Sequence, residues 1–120
     1  MAELLHPLEL VSVRVTPEDD PNDVGILLDG TISLPFTIER EWSGNVGYYF
    51  EQYAITAGDR ELFRSVPQQI FVRGLQSRTA YRDTVDERIQ LEPGTCELLF
   101  VIDDVPMAKV EVPVKALART

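Results

Sequence analysis

Hydrophobic and polar residues alternate with a period of two over most of this chain, which is the repeat of a half-buried β-strand. The clearest run closes the sequence. Between Leu91 and Val114 the row Cys96, Leu98, Phe100, Ile102 alternates with Glu97, Leu99, Val101, Asp103. Pro93-Gly94 opens the run, Asp103-Asp104 turns it, and Ala108, Val110, Val112 and Val114 form the inward row of a last strand. Pro106 and Pro113 predict an edge position for that strand, because proline cannot donate to a central ladder.

The same reading works backwards along the chain. Leu8 to Thr16 predicts a strand with Val11, Val13 and Val15 on one face and Leu10, Ser12, Arg14 and Thr16 on the other. Thr16 to Asp23 is a proline-rich acidic loop, and Val24 to Leu28 a second strand that leads through Asp29-Gly30, a strong hairpin signal, into Thr31 to Leu34. Phe36, Ile38, Arg40 and Trp42 share a face before the Ser43-Gly44-Asn45 turn, and Val46 to Thr56 is a β-prone aromatic stretch. Arg60 to Val66 fits a short strand or a helical turn, Gln68 to Arg73 a strand, and Gly74 to Asp83 a polar connection between sheets. A further alternation sets Val85, Glu87, Ile89 and Leu91 on one face.

Eight to ten short strands, with turn signals spaced about 8 to 12 residues apart and no convincing helix, predict an all-β antiparallel sandwich or open barrel, the sandwich being the favoured form. The segment LEPGTCELLFVIDDVPMAKVEV resembles the last two strands of immunoglobulin-like bacterial β-sandwich domains, with Cys96 where such domains more often carry tyrosine. The resemblance implies an immunoglobulin-like sandwich and brings no assigned activity with it.

Composition narrows the classes. At 120 residues, 44% hydrophobic and 26% charged, the chain is expected to be one globular domain, residues 1–120, with a loosely ordered tail over 115–120. A net charge of −9 opposes a phosphate backbone or an anionic membrane, so neither nucleic acid nor membrane is expected as a partner. The N-terminal MAELLHPLELVSV lacks the basic start and unbroken apolar core of a signal peptide, which predicts a cytoplasmic protein. Cys96, the single cysteine, is expected to be a buried apolar residue.

Candidate chemistry is sparse. The single histidine, His6, lies beside Pro7 and is a poor base for a Ser-His-Asp or Cys-His site; a typical structural zinc site within one chain is excluded by one His and one Cys. The seven glycines fall one per turn and make no phosphate loop. No cofactor and no metal are expected. The candidate for calcium is the acidic loop with Asp19, Asp20 and Asp23, set against the simpler reading of a solvated turn. Twenty acidic residues guarantee coincidental pairs, so a small hydrolase with two converging carboxylates is the least favoured alternative.

Two segments suit binding. Trp42, Tyr48, Tyr49 and Tyr53 offer amphipathic rings for a protein surface or, alternatively, a sugar-stacking platform. Arg73, Arg78 and Arg82 surround Tyr81, a composition enriched in interface hot spots. The leading expectation is a non-catalytic interaction or assembly module, binding a protein partner or a second copy. Leu8 to Thr16 has neither proline nor lysine to blunt a strand edge, which predicts a homodimer.

Overall fold

The computed structural model describes residues 8–74 and 77–117. Its ten strands among these residues form two sheets and no helix. The smaller sheet sets β4 (Phe36–Gly44) between β1 (Leu8–Pro17) and β8 (Thr79–Val85). The larger runs from β3 (Ile32–Ser33) and β2 (Ile26–Asp29) through β10 (Val105–Ala116) and β9 (Gly94–Ile102) to β5 (Gly47–Ala57). There β6 (Arg60–Arg64) and β7 (Gln68–Val72) each pair with β5. The fold is an all-β sandwich.

The inward rows of the two sheets meet in a single core. Phe36, Ile38 and Trp42 of β4 face Tyr53 and Ile55 of β5 and Leu98, Phe100 and Ile102 of β9. Trp42 and Tyr53 each present their rings to Phe100 edge-on, at centroid distances of 5.7 and 6.2 Å. Cys96 is buried in the same layer, and its thiol is pushed up to about 11 by burial and then by Glu97, so it is a packing residue.

Several expectations need correction. The sheets are not purely antiparallel: β2 runs parallel to β10 over Ile26–Leu28. A bulge between Leu10 and Ser12 resets the parity of β1, so that Leu10 joins Val13 and Val15 in packing on the core in place of Val11. The polar run 74–83 contains β8 from Thr79 onward; it reads as a loop because its inward positions are Thr79, Tyr81 and Asp83 rather than aliphatics. Val85 ends β8, and Ile89 and Leu91 are buried from an irregular segment that is tied to β3 by Ser33 N–H to Ile89 O (2.9 Å) and Leu91 N–H to Thr31 O (2.9 Å). Residues 60–64 are a strand rather than a helical turn.

The last strand is not an edge strand, but its prolines are accommodated for an edge reason. Along β10, only Val114–Ala116 pair with β2, which leaves the side away from β9 free of β2 over Val105–Pro113. The Pro113 carbonyl lies on that side, against Gly25, so the missing N–H of Pro113 falls there too and the β9 ladder loses nothing. Lys115 and Ala116, expected in a loose tail, belong to β10, and Leu117 N–H bonds to Leu28 O at 2.9 Å; 118–120 lie outside the described residues.

Gly25 makes that crossing possible. With φ of +105° it occupies backbone space closed to other residues, and a Cβ there would stand 2.4 Å from Pro113 O. Gly25→Ala is expected to destabilise the domain by about 1–3 kcal/mol in urea unfolding, while Gly30→Ala, at φ of +67° with open space around it, costs about 1 kcal/mol.

Candidate functional site

Between the sheets lies a cluster of charges. Arg40 on β4 and Glu51 on β5 are both fully buried and form a bidentate pair: Arg40 Nε donates to Glu51 Oε2 at 2.9 Å, and Arg40 Nη2 donates to Glu51 Oε1. Trp42 Nε1 adds a bond to Oε2 at 2.8 Å and Gln68 Nε2 one to Oε1 at 3.1 Å. Every lone-pair direction of the Glu51 carboxylate is thereby occupied, which is the condition for keeping a charge in a core. Arg40 also reaches Asp83 Oδ2 on β8 at 3.2 Å, where Tyr53 Oη (2.8 Å) and Gln68 Nε2 (3.0 Å) donate as well. The guanidinium sits over the rings of Tyr53 and Tyr81, 5.5 and 5.8 Å from their centroids.

Protonation states follow from these contacts. Burial pushes Asp83 up, but the Tyr53 hydroxyl, the Arg40 guanidinium and the Gln68 amide outweigh it and hold the carboxyl below its ordinary value of 3.8. Burial and then the Asp83 carboxylate push the Tyr53 phenol well above its ordinary value. Burial works to lower Arg40, and Glu51 with Asp83 overcome it and raise it. The Asp83 carboxylate stays charged and engaged, held as a structural ion.

The parity of β5 that turns Glu51 inward turns Tyr48 and Phe50 outward, and they are 68% and 57% exposed. Phe71 on β7 stands opposite Tyr48 in the strand register, 37% exposed, with the two rings 4.9 Å apart and tilted by 51°. Three large rings therefore lie together on one outward sheet face. The backbone beneath them is pinned. Phe50 N–H donates to Asp103 Oδ1 and Asp103 N–H donates to Phe50 O, both at 2.9 Å; Tyr81 Oη accepts from Phe71 N–H at 2.7 Å and donates to Phe71 O at 3.1 Å. A shallow pocket beside Phe50 is lined by Gln52, Pro67, Val101, Asp103 and Asp104.

Of the four aromatics singled out in the sequence, only Tyr48 is part of this surface. Trp42 and Tyr53 are core residues of the charge cluster, and Tyr49 turns inward with its hydroxyl donating to Asn45 O at 2.8 Å. Phe50 and Phe71 complete the patch; strict alternation from Glu51 and from Ile70 would have pointed to both. The arginine segment likewise divides. Arg73 and Arg78 are exposed in the β7–β8 connection, Tyr81 turns inward to cap β7, and Arg82 projects from the opposite face of β8, beside Glu39. Adjacent strand residues point to opposite faces, so Tyr81 and Arg82 cannot share a patch.

The Asp20 and Asp23 carboxylates of the acidic loop are engaged within the chain. Asp23 is held below its ordinary value by Lys115, whose Nζ lies 2.5 Å from Oδ1, and by the N–H of Val24, while Asp20 accepts from Asn22 N–H at 3.3 Å. With Asp19 exposed, no group of three or more metal-ligating side chains converges among the described residues. His6 lies outside them.

No family model and no curated protein matches this sequence. Solved structures do match its shape. The chain superposes with a TM-score of 0.58 on part of the Pseudomonas fluorescens alkylpurine DNA glycosylase AlkC, at 11% identity, covering 92% of this chain and 31% of that one. It superposes on part of a Listeria innocua β-glucosidase with a TM-score of 0.55 at 13% identity, covering 93% and 16%. A Niemann-Pick type C2 protein from the Japanese carpenter ant gives 0.52 at 9% identity, covering 92% of each. The chain thus spans less than a third of the glycosylase and of the glucosidase. At such identities the likeness is one of fold alone.

Two outcomes test the buried cluster. Arg40→Met leaves the Glu51 carboxylate buried without its cation and is expected to cost about 3–5 kcal/mol in chemical denaturation. The lowered Asp83 contributes stability that is fully present above its unfolded value of about 3.9 and is lost as pH falls through the folded one. Thermal melts of the native protein should therefore fall more steeply below about pH 4 than those of Asp83→Asn.

Proposed function

We propose that this chain is a non-catalytic interaction module of immunoglobulin-like build that holds a protein partner on the outward aromatic face of β5 and β7. The observation that carries the reading is the exposure, side by side, of Tyr48, Phe50 and Phe71 on strands whose backbone is locked from both flanks. Rigid aromatic rings give large contact area at little entropic cost, and contiguous exposed apolar surface of this kind marks interaction sites.

Strand order supports the immunoglobulin-like part. With β1, β4 and β8 in the places of strands A, B and E, and β5, β9 and β10 in those of C, F and G, the division between sheets follows that plan. Against a sugar-stacking module weigh the 51° tilt between the Tyr48 and Phe71 rings and the burial of Trp42. Against a hydrolase weighs the engagement of Glu51 and Asp83, the carboxylates that do converge, by Arg40, Trp42, Tyr53 and Gln68.

The test is a photo-reactive phenylalanine analogue placed at position 48, and separately at Thr84 on the other sheet, in the producing cell. A dominant protein adduct is expected from position 48 and none from position 84, with Phe50→Ser suppressing the adduct while changing stability by less than about 1 kcal/mol. Equal labelling from both positions, or a glycan-array hit lost on Tyr48→Ser, would overturn the reading.

A further inference from the structure

Strand edges are the main route by which a sandwich recruits another chain, and proteins blunt the ones they do not use. Most edges here are blunted. That of β7 is capped at Phe71 by the Tyr81 hydroxyl and at Arg73 by Thr79 Oγ1, which accepts from Arg73 N–H at 3.4 Å. The open flank of β10 carries Pro106, Lys109 and Pro113; β6 is five residues long with Arg60, Glu61 and Arg64; β8 turns the charged Asp83 inward. Two-residue β3 is covered by the segment around Ile89.

Among the described residues, the outer side of β1 over Glu9 to Arg14 is the exception. Val15 O is taken by Gly25 N–H at 2.7 Å, and Pro17 ends the strand, but Glu9 to Arg14 contains neither proline nor lysine. Beside it runs an apolar groove between β1 and β10, lined by Val13, Val15, Val24, Val110, Val112 and Pro113, in which Val24 is 49% exposed.

We infer that a second copy of this chain docks here, β1 against β1, antiparallel about a two-fold axis between Val11 and Ser12. That register sets Glu9 opposite Arg14 of the second copy, and Leu10 opposite Val13. Both pairs match in facing: the β1 bulge brings Leu10 and Val13 to the core side, while Glu9 and Arg14 share the outer side. Charge selects the same register. On the outer face Arg82, Glu39 and Arg14 already form an alternating row across β8, β4 and β1, and Glu9 of the second copy continues it. Registers centred on Glu9 or on Arg14 would set like charges opposite each other, which is destabilising. The net charge of −9 on each copy is screened beyond about 8 Å at physiological salt, so it does not govern a seam closed by direct pairs. The two joined sheets form one continuous sheet, and the self-complementary strand satisfies the requirement of an isologous interface.

Sedimentation velocity over a dilution series at about 0.15 M salt reads the result. The native chain should sediment as a dimer that dissociates on dilution. Glu9→Arg and Arg14→Glu each create two like-charge contacts and should weaken association at least about tenfold, while the double swap restores it to within a few-fold of the native value. Both positions lie at the outer surface; cooperative melts of the single variants confirm that folding is intact, with Arg14→Glu melting somewhat lower because it meets Glu39 across the β1–β4 pairing and loses the bond to Pro21 O. A native chain that stays monomeric throughout, or a dimer indifferent to the single swaps, overturns the inference. Tyr48→Ser separates this surface from the aromatic face: it should leave the dimer intact, and a dimer lost on Tyr48→Ser but kept in the charge swaps assigns self-association to the β5–β7 face and overturns the β1 seam.

Discussion

The Arg40–Glu51 pair is the constraint around which the two sheets are arranged. A guanidinium and a carboxylate removed from water together cost several kcal/mol each, and the cost is offset only when both are saturated with hydrogen bonds in good geometry. Here the donors come from three strands, Arg40 and Trp42 on β4, Tyr53 on β5 and Gln68 on β7, with Asp83 of β8 as the second acceptor. Because β4 and β8 belong to one sheet and β5 and β7 to the other, satisfying the cluster fixes how the sheets sit on one another at this point. Aliphatic packing around Phe100 and Leu98 then fills the remaining volume, which tolerates exchange of side chains better than the ion cluster does.

That constraint reaches the surface through strand parity. Glu51 must point inward to meet Arg40, so Phe50 must point outward, and Tyr48 with it. The same rule on β8 sends Asp83 and Tyr81 inward, where Tyr81 spends its hydroxyl on the exposed edge of β7 and holds Phe71 beside Tyr48. A buried electrostatic requirement and an exposed aromatic face are thus two consequences of one register. Edge protection follows the same rule, with polar side chains from the inner row closing β7.

A sandwich of this outline occurs within a DNA glycosylase and a β-glucosidase and over nearly the whole of a Niemann-Pick type C2 protein, at identities near 10%. Such spread shows that the architecture accommodates very different roles, and that function has to be sought in particular residues. In this chain the inner charges Arg40, Glu51 and Asp83 are committed to one another. The surface therefore carries the residues still available for recognition, and the outer rows of β5, β7 and β1 are where side-chain chemistry and exposure coincide.

Local alternation alone determined much of this molecule. The class and the inward rows of β4 and β9 follow from a period of two, because side-chain direction in an extended chain is a property of the backbone. Where an extra residue entered, as at the β1 bulge, or where the inner row was polar, as in β8, the pattern misled, since both depend on what the partner strand offers. The candidate surface was only half legible: Tyr48 stood out as an aromatic, but its neighbour Phe71 lies 23 positions away and reaches it only through the β5–β7 pairing. Composition can nominate Trp42, Tyr53 and Arg40 as rings and charges; it cannot say that they bury one another. Which residues of equal local character end in the core and which at the surface was decided by long-range pairing and by the need to satisfy every buried charge, and these exist only in the tertiary structure.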